Sequence, residues 1–128
     1  MSSHILLLEP DAILGRTYQS ILAKDGHDVR WFRSASRAIA SIDKDLPDLI
    51  VIELQLPKHN GVEFLYELRS YQDLVKIPVV VLSNIPPVLK AFRAGLWENL
   101  GVVAYHYKPL TKLADLSRSV ERIMASTS

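Results

Sequence analysis

A short apolar run followed by a longer stretch with helical spacing recurs about five times along the 128 residues, and few architectures accommodate that alternation. A run such as Ile5-Leu6-Leu7-Leu8 has no polar face to offer water. As a strand it must be covered on both sides, which is the situation of a parallel sheet with helices packed on each face. The clearest run, residues 49–54, reads Leu-Ile-Val-Ile-Glu-Leu and belongs at the sheet centre. Residues 78–82 and 102–105, or a little beyond, are the fourth and fifth strands. Residues 28–32 alternate enough to suggest an edge.

Between these runs the apolar spacing changes to that of helices. Leu14, Tyr18, Ile21 and Leu22 share one face, and Gly26 ends that helix as a left-handed cap. A second, short helix carries Ala35, Ala38, Ile39 and Ile42, with Ser34 or Ser36 as its cap and Pro47 closing the unit. A loop over residues 55–61 holds Pro57 and the turn pair Asn60-Gly61 and precedes a helix with Val62, Leu65 and Leu68. The fourth helix is expected to start near Pro86-Pro87. The last places Leu113, Leu116, Val120 and Ile123 inward, and residues 125–128 are expected to fray. No linker-like or repeated tract divides the sequence, so residues 1–128 read as one domain.

Composition narrows the function. Fifteen Lys and Arg stand against fourteen Asp and Glu, a formal net charge of +1, too small to draw the chain to nucleic acid, and no helix-turn-helix pattern is seen. There is no cysteine, which removes thiolate chemistry and fits a reducing cytoplasm. Apolar runs this short do not span a bilayer and residues 1–4 do not build a signal peptide, so a soluble, cytoplasmic protein without membrane association is expected.

In open parallel sheets, reactive groups gather beyond the carboxyl ends of the strands. There the sequence places Glu9, Pro10 and Asp11 after strand one, Glu53 at the end of strand three, Ser83 and Asn84 after strand four, and Lys108 after strand five. Carboxylates hold hard cations, while a hydroxyl and an ammonium bind phosphoryl oxygens. The histidines, His4, His27, His59 and His106, lack metal-ligand spacing and are expected to be exposed or locally bonded. His59 alone lies beside this rim.

Residues 47–57 followed by Asn60-Gly61 resemble the third-strand motif of response-regulator receiver domains. Residues 5–11 are similar to that family's first strand and acidic cluster, residues 78–83 to its fourth strand and hydroxyl, and residues 105–109 to its switch aromatic and lysine-proline pair. The resemblance implies an α/β fold, a doubly wound (βα)5 sheet of five parallel strands in the order 2-1-3-4-5 with helices on both faces. It also implies a signalling switch of two-component phosphorelays rather than an enzyme.

Carried over by position, the phospho-acceptor equivalent is Glu53, the acidic cluster Glu9 and Asp11, the phosphoryl-reading residues Ser83 and Lys108, and the switch aromatic Tyr105. Pro109 is expected to form a cis peptide or simply to shape the loop after the lysine. Glutamate in the acceptor position implies poor phosphorylation and either partial imitation of the phosphorylated state or only a structural ion pair with Lys108. A conventional magnesium-dependent phosphoryl acceptor is the alternative, and a small enzyme on the same fold a third reading; no glycine-rich phosphate loop or nucleophile elbow supports the last.

No cofactor is required by this reading. Mg2+ is the ion the resemblance brings in, and Pro10, where an acid is expected, leaves only Glu9 and Glu53 as ligands and argues against tight binding. Asp11 is expected to cap the first helix unless its loop turns it inward. The implied partners are a histidine kinase or an output protein, met through the fourth helix, fifth strand and fifth helix, where Phe92, Trp97, Tyr105 and Tyr107 are candidate aromatic anchors; Phe92 and Trp97 read equally well as core residues on a helical face. Homodimerisation is a further association the resemblance allows.

Overall fold

A computed structural model describes residues 3–87 and 95–126. Five strands form one parallel sheet: β1 (His4–Leu8), β2 (Asp28–Phe32), β3 (Leu49–Ile52), β4 (Val79–Ser83) and β5 (Val102–Tyr107), in the order β2-β1-β3-β4-β5. The helices are α1 (Ala12–Lys24), α2 (Ala35–Ile42), α3 (Gly61–Arg69), α4 (Leu96–Asn99) and α5 (Leu113–Ser126). A two-residue hairpin, Gln55–Leu56 against His59–Asn60, fills the loop after β3. The expected order and class are therefore the observed ones.

Strand geometry sends successive side chains to opposite faces, and both faces are covered. Leu6, Leu8, Ile50, Ile52, Val79 and Val81 pack with Ala38, Phe64 and Leu65 of α2 and α3. Ile5, Leu7, Leu49, Val51, Val80 and Leu82 pack with Tyr18 and Leu22 of α1 and Leu116 and Val120 of α5. This double coverage is why the central runs carry no alternation.

Gly26 has φ +100° and its N–H bonds to the Ala23 carbonyl, as its capping role requires. Gly15 is needed for a different reason. A Cβ there would lie 2.1 Å from the Trp31 indole, so α1 sits on β2 only because the side chain is absent.

Several boundaries differ from expectation. The third strand stops at Ile52, so Glu53 stands just beyond the ladder; the fourth includes Ser83, and the fifth reaches Tyr107. Leu113 is 39% exposed rather than inward, because it begins α5 before the helix has closed on the sheet. Helix α5 continues through Ala125 and Ser126, whose hydroxyl bonds to the Ile123 carbonyl, so fraying does not begin at 125. The expected helix start near Pro86-Pro87 runs into residues 88–94, and Phe92 among them lies outside the described residues. Helix α4 as described is one turn, Leu96–Asn99.

Among the described residues no helix is long and apolar enough to cross a membrane.

Candidate functional site

The carboxyl ends of β1, β3, β4 and β5 bring Glu9, Glu53, Ser83 and Lys108 into one crevice. Backbone pairing continues one residue past the strands: Glu9 N–H donates to the Phe32 carbonyl at 3.0 Å, and Glu53 N–H to the Leu8 carbonyl at 2.9 Å. The two glutamates are thereby fixed side by side on adjacent strands. Both side chains are buried, at 2% exposure each. Burial of two carboxylates demands a counter-charge. Lys108 provides it, with its ammonium 2.6 Å from Glu9 Oε1 and 2.7 Å from Glu53 Oε1.

Every remaining acceptor in the pair is used. Glu53 Oε1 also accepts from the Asn84 N–H at 3.2 Å, and Oε2 from the Gln55 N–H at 3.0 Å and from the Ser83 hydroxyl. Glu9 Oε2 accepts from the Asp11 N–H at 3.0 Å. Ser83 Oγ in turn accepts from the Ile85 N–H at 3.0 Å, and the Tyr105 hydroxyl donates to the Ile85 carbonyl at 2.5 Å. The acceptor-equivalent carboxylate is thus linked through Ser83 and Ile85 to the aromatic of β5. Tyr105 also meets Trp97 edge to face, with centroids 5.2 Å apart.

The two carboxylates sit in unequal fields. Burial pushes Glu53 up, but the Lys108, Ser83 and Gln55 donors together hold it below the ordinary carboxylate value. Glu9 has fewer donors, and burial leaves it above that value. Burial lowers Lys108, but the two glutamates more than compensate and hold its pKa up. The Tyr105 phenol is pushed up to about 12 by burial and by the Glu53 charge, so it remains an O–H donor at neutral pH.

Asp11 does not join this cluster. Its carboxylate caps α1, accepting from the Ile13 and Leu14 N–H groups at 2.9 and 2.8 Å. Pro109 shapes the loop: the Lys108–Pro109 peptide is trans and lies in a turn of 3-10 helix, Lys108–Leu110. His59 is exposed on the hairpin and lines a shallow depression against α2 and α3, away from the Glu53 network.

The other histidines are not locally bonded. His27 is buried and pairs with Glu121 at 2.8 Å, His106 bonds Ser119 at 2.6 Å, and His4 lies 3.9 and 3.8 Å from Asp28 and Asp45.

Two participants escaped the sequence reading. The Trp31 indole N–H donates to the Glu9 carbonyl at 2.9 Å, and Arg33 Nε to the Pro10 carbonyl at 2.9 Å, so the end of β2 clamps the loop that presents Glu9. An aromatic and a cation closing an edge strand are the only signals that could have pointed to this.

A family model described as the response regulator receiver domain matches residues 5–119. The chain belongs to that family. The receiver is 38% identical over 80 residues to the transcriptional regulatory protein QseB of Haemophilus influenzae, covering 62% of this chain and 35% of that protein. It is 32% identical over 109 residues to the probable transcriptional regulator ycf29 of Porphyra purpurea, covering 85% and 51%. The chain thus spans about a third of the first relative and about half of the second. A response regulator receiver domain protein (CheY-like) from Methanospirillum hungatei matches with a TM-score of 0.85 at 19% identity, over 98% of this chain and 96% of that one, a likeness of fold. The receiver family is a signalling module of two-component systems and not an enzyme class in the usual sense.

Magnesium, which the family implies, fits these residues poorly. It prefers several oxygen ligands at about 2.0–2.1 Å in octahedral array. Here Pro10 supplies no carboxylate, Asp11 is committed to α1, and both remaining carboxylates are bonded to Lys108.

Proposed function

We propose that this receiver works in two-component signal transduction as a protein–protein interaction switch in which the Glu53 carboxylate, rather than a phosphorylated aspartate, sets the conformation. The observation that carries this reading is the Glu53 bonding set: Ser83, Lys108 and the Gln55 and Asn84 N–H groups all donate to it. These are the donors to which a phosphoryl group on the shorter aspartate would be offered. Glutamate reaches toward them with one charge and two oxygens, against about two charges and three oxygens for a phosphoryl group. The Tyr105 hydroxyl, bonded to the Ile85 carbonyl next to Ser83, is the route by which this state reaches the surface of β5.

Phosphoryl transfer to Glu53 is disfavoured on the same geometry. The extra methylene displaces the nucleophile by about 1 Å, and a misplacement of that size costs on the order of a hundredfold in rate. Both oxygens are already engaged, and Lys108 neutralises the attacking charge. Because a fixed carboxylate is not itself a signal, regulation comes from partner binding or from the amount of protein present. The partners are a histidine kinase or an output protein, meeting α4, β5 and α5 in the cytoplasm. Half-buried Trp97, Tyr105 and Tyr107 and exposed Val103 lie on or next to that face.

The test is a quantitative pull-down that compares wild type with Glu53→Gln, an isosteric change that removes the charge. Partner recovery is expected to fall at least about fivefold, the size of a modest coupling between sites. Equal recovery by the two proteins would remove the Glu53 charge from the mechanism.

A further inference from the structure

We infer that Lys108 is the resident cation of this pocket, standing in for a divalent ion, so that the switch operates independently of Mg2+. The inference deepens the proposed function and rests on that reading of the crevice. Three observations carry it.

All four carboxylate oxygens are already served by protein donors: Glu9 by Lys108 and the Asp11 N–H, Glu53 by Lys108, Ser83 and the Gln55 and Asn84 N–H groups. Both Glu53 oxygens carry two donors each, so a metal reaches Glu53 only by displacing one of them, and it shares Glu9 with the donors already there. The ammonium is the obvious competitor because it touches one oxygen of each glutamate, as a bridging ion would.

Charge also works against a second cation. Two carboxylates and one ammonium sum to −1, in a crevice where the three side chains are 2%, 2% and 8% exposed. Adding a divalent ion beside Lys108 reverses the sign of a buried site without supplying another anion.

The loop that would have to rearrange is held from outside. The Glu9 and Pro10 carbonyls, themselves candidate oxygen ligands, are bonded to Trp31 and Arg33, and the Trp31 ring fills the space over Gly15. Turning Asp11 inward sacrifices the cap of α1. A further protein ligand from this loop is therefore obtained only by breaking the β2 clamp or the helix end.

The experiment follows melting temperature in MgCl2 up to about 10 mM against KCl of matched ionic strength, because an ion that binds only the folded state raises it. Wild type is expected to show no Mg2+-specific rise, while Lys108→Gln, with the cation removed, is expected to gain one. A specific rise in wild type, or none in Lys108→Gln, overturns the inference. Should Lys108→Gln fold poorly, the wild-type Lys108 ammonium resonance decides the matter in the same titration. It is expected to stay in place, and its displacement by Mg2+ overturns the inference. Neither readout involves a partner, so failure here is distinguishable from failure of the Glu53 pull-down.

Discussion

Replacing Lys108 with methionine is expected to lower the free energy of unfolding by about 3–5 kcal/mol, the cost of removing one partner from a buried ion pair. Methionine fills much of the same volume, so the loss reports charge more than packing. Two neighbouring carboxylates at 2% exposure are left without a counter-ion, and each disfavours ionisation of the other. The pH dependence then distinguishes this account from simple loss of a side chain. In wild type the Lys108 pKa is raised in the folded state, so its contribution is complete below the ordinary lysine value and is lost as the pH rises through the folded one. In Lys108→Met the glutamates become the titrating groups with raised values, and the variant regains stability as the pH falls from neutral and they take up protons. Urea denaturation at pH 7 and pH 5 measures the loss and its partial recovery in Lys108→Met, and the wild-type dependence is read above the ordinary lysine value. A loss below about 1 kcal/mol, the range of exposed pairs, would mean that the triad does not hold the crevice together.

The second large effect is expected at Arg69, far from this chemistry. Its Nε donates to the Leu100 carbonyl at 2.8 Å, one terminal nitrogen to the Ile77 carbonyl at 2.7 Å, and the other to the Leu74 carbonyl. One guanidinium thus ties the end of α3 to the approach to β4 and to the turn before β5. Gly101, with φ +77°, lets it in; a Cβ there would lie 2.1 Å from the guanidinium. Hydrogen bonds from a charged donor contribute about 1.5–3 kcal/mol each, and not additively. Arg69→Ala is therefore expected to destabilise by about 2–4 kcal/mol in urea titrations. Arg69→Lys is expected to recover only part of this, because a point charge lacks the planar fork. Full recovery by lysine would show that charge, not geometry, is what the three carbonyls require.

What the sequence made legible follows from how local each signal is. A uniformly apolar run announces a strand covered on both faces without reference to the rest of the chain, and such runs, with one alternating edge strand, carried the architecture. Glu53 was conspicuous because a carboxylate interrupts the most apolar stretch in the protein. Lys108 and Ser83 were found by position, since each follows a strand that ends at the same rim. Contacts between distant segments left little trace. Arg69 in the last turn of a helix looks like an ordinary cation favoured by the helix dipole, and Trp31 in an alternating edge strand looks like a half-buried aromatic. The pairing of His27 with Glu121 spans 94 positions and has no local mark at either end. Asp11 could be read two ways because an acid before a helix is both a cap and a neighbour of the pocket. Satisfying the first-turn N–H groups decides it.

The most direct measurement of the central claim is intact-protein mass after incubation with a small acyl phosphate and Mg2+. A glutamate bonded to Ser83 and Lys108 and serving in place of a phosphorylated aspartate predicts an unchanged mass, with at most a trace of modified protein. Near-stoichiometric addition of one phosphoryl group, mapped to Glu53, would show instead a functioning acceptor and would contradict the account.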